Sequence, residues 1–218
     1  AELIFTDGGM AEAVGMARTI SLERGGAYLD QFNNPMNSLS HYSTTGPEIY
    51  DALSGRVDYF VAGVGSGGTI GGGGRYLKEK NPHVKIIAVE PKKSPLLSEG
   101  VAGSHKIQGI GANFVPDTLD RDVYDEIITV SDEEAYKFTA ELTKNEGILA
   151  GISSGCALCA AIEIAKREHS VVLIDCDFWT PKGYFSAAQE IYLVQTMDVL
   201  TIQPLTAFLR DLVAQNML

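Results

Sequence analysis

Asp58-Tyr59-Phe60-Val61-Ala62 runs directly into Gly63-Val64-Gly65-Ser66-Gly67-Gly68-Thr69. An apolar run of strand type, a turn with four glycines in seven residues and then helical spacing from about Thr69 to Lys80 leave few folds open. The glycines let the backbone turn tightly and aim several N–H groups at one point. The start of a helix adds a favourable dipole there, so the turn is suited to an anion such as a phosphate. Ser66 and Thr69 can add hydroxyl donors. A tight strand-to-helix turn with no ligand would need fewer glycines.

The rest of the chain repeats the alternation. Lys85 to Glu90 reads as a second buried-type strand and Ile127-Ile128-Thr129-Val130 as a third. Ser131-Asp132-Glu133-Glu134 fits a capping box that opens a helix to about Asn145. Ala157 to Arg167 reads as another helix, and Ser170 to Ile174 as a further strand. The predicted fold class is α/β, a parallel sheet with helices on both faces. Upstream, Leu3-Ile4-Phe5 and Ala27-Tyr28-Leu29 read as short strands around a helix from Met10 to Arg24, stopped by Gly25-Gly26. Helical pattern resumes over Ser38 to Leu53. Residues 91–126 have weak periodicity, and 187–218 are mostly helical in propensity.

Composition narrows the function. The formal net charge is −11, which argues against a nucleic-acid phosphate backbone as partner, since that needs a basic face. A small anion bound by backbone N–H groups remains open. No apolar run is long enough to span a bilayer, and no signal peptide is visible, so no membrane partner is expected. Three cysteines, Cys156, Cys159 and Cys176, suggest no disulfide framework and fit a reducing cytoplasm.

Three further motifs compete for chemistry. Gly63, Gly65 and Gly68 satisfy G-x-G-x-x-G, and Glu90 ends the next strand about 20 residues on, as a dinucleotide-binding domain requires. No Walker lysine follows the loop, which excludes a P-loop NTPase. Gly151-Ile152-Ser153-Ser154-Gly155 matches the nucleophile elbow G-x-S-x-G, yet only His169 lies downstream, with no aspartate between, so a triad is implausible. A helix N-terminus with serine caps explains the motif better. Cys156-Ala157-Leu158-Cys159 has redox-pair spacing but sits among alanines, which favours core packing. No histidine lies at metal-ligand spacing from a cysteine or carboxylate, so no metal is expected.

Six stretches taken in order resemble cysteine synthase (O-acetylserine sulfhydrylase). They are Gln31-Phe32-Asn33-Asn34-Pro35-Met36-Asn37, Thr44-Thr45-Gly46-Pro47-Glu48-Ile49, Ala62 to Thr69, Val89-Glu90-Pro91, His105-Lys106-Ile107-Gln108-Gly109-Ile110-Gly111-Ala112, and Glu146 to Gly155. Each is weak alone. Their joint order and spacing, from about residue 3 to 174, are specific. The resemblance implies a fold type II enzyme that uses pyridoxal 5′-phosphate, incomplete and consisting mainly of the larger C-terminal domain. Residues 1–32 would be a remnant of the smaller substrate domain, 33–186 the cofactor-binding domain and 187–218 a divergent extension.

By the same resemblance Gly65, Ser66, Gly67, Gly68 and Thr69 would bind the cofactor's phosphate. Thr180 would meet its pyridine nitrogen, with Cys176 as the other alignment. Gln31 would lie near the substrate carboxylate, and Gly109, Ile110 and Gly111 would line the active site. The implied reaction is β-replacement, in which O-acetylserine loses acetate and sulfide adds to give cysteine. The implied partners are these small molecules, the C-terminal tail of serine acetyltransferase and a second copy in a homodimer. The family's Schiff-base lysine belongs to an N-terminal segment before the first residue here, and no lysine of this sequence matches its motif. No catalytic residue is therefore assigned. Two alternatives stand beside the synthase: a catalytically impaired relative that binds the cofactor or a partner, and a Rossmann-type nucleotide-binding protein.

Overall fold

The computed structural model describes residues 2–168 and, beyond them, the backbone of three short strands. The elements are α1 (Gly9–Arg24), α2 (Met36–Ser43), α3 (Thr45–Ala52), β1 (Tyr59–Gly63), α4 (Gly68–Lys80), β2 (Lys85–Pro91), α5 (Leu96–Glu99), β3 (Glu126–Val130), α6 (Asp132–Glu146), α7 (Ile152–Glu168), β4 (Val172–Asp175), β5 (Tyr192–Gln195) and β6 (Asp198–Thr201).

Among the described residues the strands form one sheet in the order β3-β2-β1-β4-β5-β6. All neighbours are parallel except β5 and β6, which pair antiparallel. The α/β class with a parallel sheet is as predicted. The strand order places the chain's first crossover, β1 to β2, on one side of β1 and the return to β4 on the other. Such a reversal opens a crevice beyond the carboxyl end of β1.

The strands are apolar on both sides because both sides are covered. Phe60, Ile86 and Ala88 face a core with Ile49, Ile70 and Leu77 from α3 and α4. Val61, Ile87 and Val89 face the other core with Leu142, Leu158 and Ile164 from α6 and α7. Each fully buried side chain of this size contributes roughly 1.5–3 kcal/mol relative to exposure. The capping box of α6 forms as expected: Glu134 N–H donates to Ser131 Oγ at 3.2 Å, and Ser131 N–H to Glu134 Oε2 at 2.9 Å.

Several expectations need correction. Leu3-Ile4-Phe5 and Ala27-Tyr28-Leu29 are not strands. Phe5 is 85% exposed and Leu29 also lies open, so neither segment has the neighbour that β structure requires. The single helix over 38–53 is two helices that break at Thr44 (φ −124°, ψ −70°). Pro47 has no N–H to continue α2, but it fits the first turn of α3, where none is needed. Helix α7 starts at Ile152 rather than Ala157, so the G-x-S-x-G run forms its first turn. The tail expected to be helical contributes strands β5 and β6. Among the described residues no helix is long and apolar enough to cross a membrane.

Candidate active site

The glycine loop stands at the crevice. Gly67 caps α4 with φ 82°, in the left-handed region, and a Cβ there would lie 2.8 Å from the Leu119 Cβ. No side chain caps this helix, and its first N–H groups, on residues that line the crevice, carry the helix dipole behind them. Gly65 is needed for a different reason: a Cβ would stand 2.4 Å from the Gly109 carbonyl oxygen. Gly111 N–H donates to Val64 O at 3.0 Å, which holds the 109–111 segment against the loop.

The cleft so formed has a volume of about 280 Å³. Gln31, Gly65 to Thr69, Gly109 and Ile110 all line it. Gly111 stands one residue behind that wall. The structure thus gathers the predicted site residues from three distant segments. Thr180 and the alternative Cys176 lie outside the described residues.

Of the lining residues with polar side chains, sequence reasoning missed three: Asn37, His41 and Ser153. The first two come from α2, which packs directly on α4. A Cβ at Gly72 would lie 1.9 Å from Ser38 O, so within the run of glycines in α4 it is Gly72, with Gly68 and Gly71 beside it, that lets the two helices touch backbone to backbone. That run was the available signal. Asn37 Nδ2 donates to Ser66 Oγ at 2.8 Å, and His41 Nε2 lies 3.3 Å from Thr69 Oγ1. The other ring nitrogen of His41 meets Thr45 Oγ1 at 2.9 Å. Burial pushes the His41 imidazole below its ordinary pKa, so it is neutral near pH 7. Thr118 Oγ1 reaches both Ser66 O and Phe32 O, tying the loop from behind. Ser153, nearly buried, brings the start of α7 to the same cleft.

The 105–111 wall is fixed by side chains at its base. Ile107 N–H donates to His105 Nδ1 at 3.2 Å, so Nε2 carries the proton that is donated to Gly111 O at 2.9 Å. Asp132, 3% exposed, accepts from Lys106 N–H at 3.0 Å and from Lys93 Nζ at 2.6 Å. The Lys93 hydrogen bond and then the Lys106 N–H hold its carboxyl below the usual range.

Two competing motifs lose their chemistry. Glu90 is 2% exposed, and its carboxylate accepts from Leu97 N–H at 2.7 Å and from Ser98 N–H and Oγ at 3.0 and 2.5 Å. It anchors α5 and is not available to a ribose, so the dinucleotide reading fails on its acidic residue. Cys156 is fully buried and its thiol is pushed up by burial. Burial likewise pushes Cys159 up to about 12. Neither is a thiolate at neutral pH, and both are free cysteines, Cys156 inside the core and Cys159 packed against it. Among the described residues no group of three His, Cys, Asp or Glu side chains is placed to hold a metal ion.

Fold and site together define a class: an α/β protein with a glycine-rich, donor-lined cleft at the switch point of a mainly parallel sheet. Residues 1–177 match the family described as pyridoxal-phosphate dependent enzymes, and the chain belongs to that family. It is 47% identical over 170 residues to cysteine synthase of Staphylococcus aureus, covering 77% of this chain and 55% of that protein. The crystal structure of a cysteine synthase from Entamoeba histolytica superposes with a TM-score of 0.72 at 40% identity, covering 78% of this chain and 51% of that one. An O-ureido-L-serine synthase structure gives a TM-score of 0.75 at 32% identity over 97% of this chain and 62% of that one. The chain thus spans about half the length of the curated relatives it matches.

Proposed function

We propose that this chain carries the phosphate-binding half of a pyridoxal-phosphate enzyme of cysteine synthase type. The uncapped N-terminus of α4 inside the glycine loop is the observation that carries it. The loop's N–H groups and the Ser66 hydroxyl would hold the phosphate of pyridoxal 5′-phosphate. Gln31 would face the substrate carboxylate, and the 109–111 wall would close the cleft on the other side. When bound, the cofactor supplies an electron sink at the substrate α-carbon. The chain's own residues bind, orient and shield it. The division at residues 32 and 186 is kept in this proposal, supported by an α1 that buries nothing and by a family match that ends at 177.

The proposed overall reaction is β-replacement, O-acetylserine plus sulfide giving cysteine and acetate. The 47% identity to a cysteine synthase supports it over the other activities found among structural neighbours. No lysine is among the described residues that line the cleft. A base and covalent anchor would come from the portion of its relatives that this sequence does not span, and these 218 residues alone would bind the cofactor without turnover.

Titration with pyridoxal 5′-phosphate tests this, with pyridoxal as comparator. The phosphorylated form should bind more tightly by at least about tenfold, the scale of hydrogen bonds to a charged group. Gly67→Asp should abolish the preference, because the left-handed backbone resists a side chain and its Cβ would collide with Leu119, displacing the loop that carries the donors. Borohydride reduction should mark no lysine within these residues, and a single specifically labelled lysine would refute the anchor assignment. Tight NADH binding with no preference for the phosphorylated pyridoxal would restore the nucleotide reading.

A further inference from the structure

The geometry points to Asn37 as a positioning residue that fixes the Ser66 hydroxyl as an obligate donor toward the phosphate. The proposal rests on the phosphate reading above and concerns a residue outside the glycine loop.

The orientation of the Asn37 amide follows from chemistry. One terminal atom lies 2.7 Å from the backbone carbonyl oxygen of Gln31, which only accepts, so that atom is the nitrogen. The same Nδ2 reaches Ser66 Oγ at 2.8 Å. Its two protons are then both used, one on each oxygen. Ser66 Oγ accepts from Asn37, and its own proton is left to point elsewhere. Ser66 lies on the cleft wall, so that direction is open to a ligand.

The amide cannot readily turn away. Asn37 Oδ1 sits so close to α4 that a Cβ on Gly68 would be 1.9 Å from it, and Asn37 N–H is held by Asn34 O at 3.0 Å. The opposite side of Ser66 is closed by the Thr118 hydroxyl on its carbonyl. Asn37 thus gives the cradle a donor whose polarity is set before any ligand arrives. Such preorganisation is what makes hydrogen bonds to an anion effective. It also ties the segment carrying Gln31, on the substrate side, to the loop on the phosphate side through one side chain.

A double-mutant cycle reads this directly. Dissociation constants for pyridoxal 5′-phosphate and for pyridoxal are measured on the 218-residue chain as wild type, Asn37→Ala, Ser66→Ala and the double variant, with thermal melting as a check on folding. Ser66→Ala should weaken the phosphorylated ligand by roughly tenfold, the scale of one hydrogen bond to a charged group, and leave pyridoxal within about twofold. Asn37→Ala should weaken it several-fold in the wild-type background and by less than about twofold once Ser66 is alanine. Asn37→Asp, whose carboxylate can only accept, should turn the Ser66 proton away and weaken binding more than Asn37→Ala. Equal losses from Asn37→Ala in both backgrounds would show a merely structural role and overturn the assignment, as would unchanged affinity in Asn37→Asp. If wild type itself does not prefer the phosphorylated ligand, the phosphate reading fails first and this assignment falls with it.

Discussion

Helices α1 and α4 make an instructive pair. By intrinsic propensity α1 is much the better helix, with Ala11, Ala13 and Ala17 among its residues. Helix α4 has five glycines in 13 residues, each costing about 1 kcal/mol against alanine. Yet α1 buries no residue, and Leu22 on it is 79% exposed, whereas α4 buries seven. Local preference and tertiary commitment point in opposite directions in the two helices. Three of these glycines, Gly68, Gly71 and Gly72, admit α2, while Gly73 and Gly74 face Phe60 and Ile86, and α2 brings Asn37 and His41 to the cleft.

The contrast can be broken most forcefully at Gly72. Gly72→Ala adds a good helix former, but its methyl would lie 1.9 Å from Ser38 O and 2.7 Å from Tyr42 N, both backbone atoms of a packed helix. Destabilisation of about 3 kcal/mol is expected from such overpacking, read as a fall in the urea midpoint, with loss of the phosphate preference. A neutral or stabilising outcome would mean that α2 does not sit on α4 as described.

A smaller effect should appear at His41, in its pH dependence. Burial lowers the pKa of this histidine in the folded state, so the unfolded chain takes up a proton that the folded chain resists. The stability it contributes is fully present above the ordinary histidine value of about 6.5 and is lost as pH falls through the depressed folded value. His41→Asn removes this titration, so the stability gap between wild type and variant should narrow between about pH 7.5 and pH 5. A gap that is constant over that range would place the imidazole in solvent.

The smallest effect has the opposite sign. Gly15 in α1 has nothing within 4 Å of where a Cβ would stand. Gly15→Ala should therefore stabilise α1 by about 0.5–1 kcal/mol, seen as a rise in helix content or thermal midpoint. The same substitution in the two helices would then move stability in opposite directions. A loss at Gly15 would show that α1 has a partner surface after all.

Legibility followed the same division. Strands β1 and β2, the loop between β1 and α4, and the capping box at Ser131 were readable because each is specified by residues adjacent in sequence. The helical pattern reads from Ala157, five residues after the actual start of α7, although Gly151 to Gly155 already reads as a helix N-terminus with serine caps. It is helical since Gly155 fits against α6, where a Cβ would be 2.3 Å from Ala135 O. Leu3-Ile4-Phe5 has the composition of a strand, but composition cannot supply a neighbouring strand. Within the cleft, the glycine loop and Gly109-Ile110 were legible from motif. Asn37 and His41 were not singled out, because their place depends on how α2 packs, and Glu90 could not be separated from a dinucleotide-binding acid by sequence because its partners lie in α5.

The pairing of Tyr59 with Val172 sets a timetable for this molecule. Strand β1 lies inside the sheet, with β2 along one edge and β4 along the other, and β4 comes from much later in the chain. During synthesis the glycine loop is made before the strand that flanks β1 on that side, which follows only after α7. Chains dominated by such distant pairings close slowly. The glycine loop is thus made before the surroundings that complete its cleft, and a ligand that binds only the finished cleft would draw the folding equilibrium toward it.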